Sequence, residues 1–93
     1  MRTIRVKTRF RRDFKREAKG RYAKQLSDLL AEVVDLLATD TPLPPRFNDH
    51  ALTGNWAEFR DCHLKPDLVL IYRKPDLDTL QLVRLGSHSE LGL

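Results

Sequence analysis

A single cysteine, three histidines and no uninterrupted apolar run longer than five residues set the first limits on this 93-residue sequence. Cys62 alone excludes an internal disulfide framework and suits a reducing compartment. The longest apolar run, Leu68–Tyr72, falls far short of the ~20 residues that a spanning helix needs, so no membrane role is expected. No apolar stretch of the secretory-signal kind follows the first basic residues, and neither a repeat nor a low-complexity tract is present. What is present suffices for a core: 41% hydrophobic and 32% charged residues describe a folded domain rather than a disordered tail. Residues 1–93 are therefore read as one domain with a cytoplasmic location.

The net charge of +4 conceals an asymmetry. Residues 1–24 carry eleven Lys and Arg against Asp13 and Glu17, a net of +9, whereas residues 25–93 carry a net of −5. Such a field attracts a polyanion or an acidic partner segment, although a solvated helix face has the same composition.

Ile4 and Val6 alternate with Arg5 and Lys7, which predicts a strand over residues 2–7. Thr8 is placed to cap a helix with Phe10, Phe14 and Ala18 on one face, and Gly20 stands where a C-cap belongs. Tyr22, Leu26, Leu29, Leu30, Val33 and Leu37 form the stripe of a second helix, stopped by Pro42, Pro44 and Pro45. Residues 39–55 show neither period, and a segment of that length is expected to be functional or disordered. Three strands are expected after it: Trp56–Leu64 and Thr79–Leu85, which alternate, and Asp67–Arg73, whose continuous apolar character makes it central. The order implies an α+β domain, a helical hairpin on one face of a mainly antiparallel four-stranded sheet.

All three histidines lie in the second half, and two stand near carboxylates: Asp49 precedes His50, and Asp61 shares a strand face with His63 and Phe59. Asp67 begins the next strand across a short turn, and His88 follows the last strand. Three readings are open. The histidines are ordinary surface residues; or they hold zinc, which the absence of C-x-x-C or H-x-x-x-H spacing and the opposed direction of Cys62 disfavour. The third is metal-free acid–base chemistry on RNA, for which imidazole is suited near neutral pH, with Arg84 offsetting charge on a phosphorane transition state.

The stretches Asn48–Trp56, Phe59–Tyr72 and Arg84–His88 together resemble the YafQ-type toxins of the RelE/ParE toxin superfamily, and the resemblance runs through the whole chain. It implies a RelE-like, microbial-RNase-like sheet and a toxin of a type II toxin–antitoxin system. Such a toxin is a ribosome-dependent endoribonuclease of A-site mRNA, with no metal or other cofactor. It is held by a DinJ/RelB-like antitoxin, through which alone it reaches operator DNA. A ParE-like relative that poisons gyrase without RNase activity is the alternative. Carried over, the family's active-site set falls on His50, Asp61, His63, Asp67 and His88. His88 is then the expected acid, the base lies among His50, His63 and Asp67, and Asp61 orients a histidine. Arg84, Arg60, Arg11, Arg12, Lys15 and Arg16 are expected to contact RNA. One position departs: Gly92 stands where an aromatic residue is usual, and a lost stacking platform costs about 1–3 kcal/mol of nucleotide binding.

Overall fold

In the computed structural model, which describes residues 1–93, the alternating Ile4–Val6 segment forms β1 (Thr3–Val6). The chain continues through α1 (Thr8–Glu17) and α2 (Ala23–Ala38), then β2 (His50–Ala51), β3 (Arg60–Lys65), β4 (Leu68–Arg73), β5 (Thr79–Gly86) and α3 (His88–Leu91). The sheet order is β1-β5-β4-β3-β2. β1 pairs parallel to β5, because the chain crosses over between them, and every other pair is antiparallel. All four expected strands are present. The fifth, β2, is a two-residue addition at the edge beside β3.

The apolar run 68–72 lies at the centre of the sheet, buried on both faces. Leu68, Leu70 and Tyr72 join the main core, where Phe10, Leu26, Val33 and Leu37 descend from the helical hairpin. Val69 and Ile71 point the other way and meet Leu91, with Leu52, Trp56, Phe59 and Val83 packed around them. This second, smaller core is roofed by α3 and the segment before β3. It leaves one end of that face open, and the histidines lie there. No helix is long and apolar enough to cross a membrane.

Several local expectations change. Thr8 is the first residue of α1; Lys7 occupies the N-cap in extended conformation, and no side chain caps the helix. α1 ends at Ala18 rather than at a left-handed Gly20; the left-handed glycines are Gly54 and Gly92. Trp56 belongs to a 3₁₀ turn, Gly54–Trp56, so β3 starts only at Arg60. That turn uses the positive φ of Gly54, which overrides the two-residue alternation of the sequence. Residues 39–55 likewise hold a 3₁₀ turn, Pro45–Phe47, whose Phe47 is buried in the main core.

Candidate active site

Asp61 and His63 lie two residues apart on β3 and face the side opposite to the helical hairpin, while Cys62 between them is buried in the main core. β2 pairs with β3 so that His50 stands directly across from Asp61. The turn from β3 to β4 carries Asp67, and β5 ends at Gly86, just before His88. All five residues of the expected set converge. The His50 and His63 rings lie 6.0 Å apart, His63 and His88 5.1 Å apart, both edge to face. A cavity of about 490 Å³ opens over His50, Asp61, His63 and His88, with Trp56, Leu52, Thr53, Asn55, Gly92 and Leu93 completing its walls.

Each outer histidine has one ring nitrogen fixed by an acceptor. His50 Nδ1 stands 2.9 Å from the Asn48 carbonyl oxygen and 3.0 Å from Asp61 Oδ1. The hydrogen-bond direction belongs to the carbonyl, so Asp61 Oδ1 is close without being bonded. A carbonyl only accepts; Nδ1 therefore carries the proton, and Nε2 of the neutral ring carries the lone pair. Asn48 presents that carbonyl from a left-handed conformation, φ 46°. The following residue is anchored from the other side of the sheet: the buried Tyr72 hydroxyl donates to Asp49 Oδ1 at 2.5 Å, and Arg60 Nε donates to the same oxygen at 3.3 Å.

At the far end, Asp67 Oδ1 accepts from the His88 backbone N–H at 3.1 Å and lies 2.8 Å from His88 Nδ1. The short α3 is held by a capping box: Ser87 Oγ accepts from Glu90 N–H, and the Glu90 carboxylate accepts from Ser87 N–H. Glu90 also pairs with Arg16 at 3.0 Å, and Arg16 donates to the Leu85 carbonyl. That guanidinium lies across Gly86, where a Cβ would come within 2.7 Å of its Nη2. A side chain at Gly86, two residues before His88, would make this guanidinium move aside.

Burial raises the carboxyl of Asp61 above its ordinary range, although His50, His63 and His88 all pull it down. Burial lowers the imidazole of His63, and the two neighbouring histidines add to this against the pull of Asp61. Hydrogen bonds from His88 hold Asp67 below its ordinary range, so it stays a carboxylate. Asp61 Oδ1 and His63 Nε2 are buried with no hydrogen-bond partner. Buried polar atoms are rarely left so, and functional sites are one place where it happens. The site offers two His–carboxylate pairs, His50–Asp61 and His88–Asp67, on either side of a neutral His63.

The six expected RNA-contact residues are not gathered there. Arg84 forms an ion pair with the buried Asp13, 2.7 Å from Nε to Oδ2, and lies outside the cavity. Arg60 extends on the opposite face to Tyr72 and Asp49. Arg16 is divided among Asp13, Glu17 and Glu90. Arg11 and Lys15 border an apolar groove on the helical hairpin, and Arg12 is exposed without an ion pair. Linear spacing disfavours a metal, but ligand atoms of His50, Asp61 and His63 lie within 4.8 Å of one another, so strand pairing provides what the sequence order lacks. Asn48 and Trp56 entered the sequence reading as the ends of a resembling stretch, without a role in the site. The structure sets Trp56 on the cavity wall, in a turn that its apparent alternation hid, and the Asn48 carbonyl against His50.

Residues 2–92 match the family model described as the bacterial toxin of type II toxin–antitoxin system, YafQ. The mRNA interferase toxin YafQ of Escherichia coli K12 is 35% identical over 85 residues, 81% of this chain and 91% of that protein. A YafQ relative from Haemophilus influenzae is 43% identical over 63 residues, 64% of this chain and only 62% of that relative's length. Two crystal structures share the fold. The E. coli DinJ–YafQ complex matches with a TM-score of 0.83 at 33% identity, over 98% of both chains. A metal-bound toxin from Helicobacter pylori matches with a TM-score of 0.82 at 47% identity, over 98% of this chain and 99% of that one.

Proposed function

The chain belongs to the YafQ family of bacterial toxins of type II toxin–antitoxin systems, and from that premise we propose that it is a ribosome-dependent, metal-independent endoribonuclease of translated mRNA. The observation that carries this reading is the pair of His–carboxylate couples flanking His63 in one cavity. His50 Nε2 takes the proton of a ribose 2′-OH, and Asp61, 3.0 Å from Nδ1, favours the imidazolium that forms. The 2′-oxygen attacks phosphorus. His88, paired with Asp67, then protonates the departing 5′-oxygen, leaving a 2′,3′-cyclic phosphate and a 5′-hydroxyl. With Arg84 committed to Asp13, the extra phosphorane charge falls to the proton that His88 delivers and to a hydrogen bond from His63.

The protein acts in the cytoplasm, where ribosomes are. Its regulator is an antitoxin of the DinJ kind, supported by the likeness to the YafQ chain of the E. coli complex. The cationic hairpin suits an acidic, amphipathic segment of that partner, and the complex binds operator DNA through the antitoxin. A transition metal fits His50, Asp61 and His63, and the H. pylori toxin of similar fold is metal-bound. Bound at these residues, a metal takes up imidazole lone pairs that the acid–base route needs free. Added zinc is therefore expected to inhibit, and chelation to restore, cleavage. The test is incubation with mRNA-programmed ribosomes and analysis of the ends. Cuts within codons bearing cyclic or 3′-phosphate ends, and none in free mRNA, are expected; intact ribosome-bound mRNA overturns the reading.

A further inference from the structure

Trp56 is the only tryptophan in the chain and, the histidines aside, the only aromatic residue on the cavity wall. It is half-buried, so part of its indole remains open. Phe59 meets it edge to face at 5.2 Å and 81°. In that arrangement Phe59 covers at most one face of the indole. Phe59 is itself braced by the Arg73 guanidinium, 5.6 Å above its ring. The backbone around the indole is closed by hydrogen bonds from Trp56 N–H to Thr53 O, Phe59 N–H to Trp56 O and Leu52 N–H to Phe59 O. A rigid, supported aromatic surface thus borders the same cavity as His50, His63 and His88.

Gly92, on the wall of the same cavity, adds no side chain to this surface. It ends α3 in left-handed conformation, φ 72°, and a Cβ there would have no neighbour within 4 Å. A planar ring of substrate entering this cavity meets one large aromatic surface, and it is Trp56.

We propose that Trp56 is the stacking platform for the nucleobase adjoining the scissile phosphate. The inference rests on the endoribonuclease reading and deepens it. A stacked base orients its nucleotide without reading its hydrogen-bonding edge, since every base has a π-face. Stacking is present before and during the reaction, so its loss raises KM and leaves kcat nearly unchanged. A residue that merely roofs the second core has another signature: Trp56→Leu keeps an apolar cover and is silent, or it disturbs the histidines and lowers kcat.

The experiment measures kcat and KM for mRNA cleavage on programmed ribosomes with wild type, Trp56→Leu and Trp56→Phe, with thermal melting of each protein. The expected result is a KM raised roughly 5- to 150-fold in Trp56→Leu, the range of base–aromatic stacking. kcat stays within about threefold, and Trp56→Phe recovers most of the loss. Wild-type kinetics in a folded Trp56→Leu, or a loss confined to kcat, overturns the platform while leaving the nuclease intact. A Trp56→Leu defect that Trp56→Phe does not relieve also overturns it. Absence of cleavage by the wild type overturns the nuclease reading and the platform with it.

Discussion

An imidazole that must take up or release a proton in a defined direction needs its other nitrogen held. His50 has the Asn48 carbonyl for this purpose and His88 has Asp67, while His63 is shielded by burial. The carboxylates differ in what they cost the fold. Asp67 is held below the ordinary carboxylate range by hydrogen bonds from His88, so it keeps its charge near neutral pH. Asp61 is raised by burial: its contribution to stability is present below the unfolded carboxylate value and is lost as pH rises through the folded one. At neutral pH this buried charge therefore works against folding. Asp61→Asn is expected to stabilise the protein by about 0.5–2 kcal/mol at pH 7 while abolishing most cleavage, the trade-off common at functional sites. The gain should vanish near pH 3, where Asp61 is protonated in both states; an equal gain at both pH values contradicts the assignment. His63 has the opposite sign. Its contribution is present above the unfolded histidine value and lost as pH falls through the lowered folded one.

Among the elements, those with long, strong periodicity were legible in the sequence. The α2 stripe and the apolar run of β4 bury the residues that their spacing selects. The misread elements are those decided by a few hydrogen bonds. β2 has two residues and no pattern of its own; pairing with β3 creates it. Trp56 alternates with its neighbours as a strand residue does, but the positive φ of Gly54 starts a turn instead. That the five expected site residues share one face and end of the sheet was legible through resemblance and strand-face arithmetic, whereas their supports were not, because they cross the sheet. The clearest is the Tyr72 hydroxyl on Asp49, one residue before His50. Tyr72→Phe removes a buried hydrogen bond to a carboxylate, a change worth about 1.5–3 kcal/mol. It is expected to speed amide hydrogen exchange across Asn48–Ala51 and to lower kcat more than it raises KM. Unchanged exchange there would separate Tyr72 from the site.

For the molecule as a whole, the N-terminal charge is divided into two classes that composition cannot distinguish. Arg16, together with Arg84 from β5, is consumed by Asp13, whose carboxylate also accepts the Leu85 N–H. Arg9, Arg12 and Lys19 are exposed, and no ion pair involves them. Arg16 is therefore a poor probe of nucleic-acid binding, since reversing its charge attacks the support of His88. Reversal of Arg9, Arg12 and Lys19 to Glu is expected to weaken ribosome binding and flatten its dependence on salt, with melting unchanged. Equal affinity would assign that face to the antitoxin alone. The central claim, that His50 is the base and His88 the acid of a metal-free cleavage, is tested most directly by changing the leaving group. An mRNA with sulphur in place of the scissile 5′-oxygen expels a thiolate that needs no proton. On the ordinary mRNA, His50→Ala and His88→Gln should each lose about 10²–10⁴ in rate. On the sulphur-substituted mRNA, His88→Gln should return to near the wild-type rate while His50→Ala stays impaired. Equal impairment of His88→Gln on both substrates would contradict its assignment as the acid.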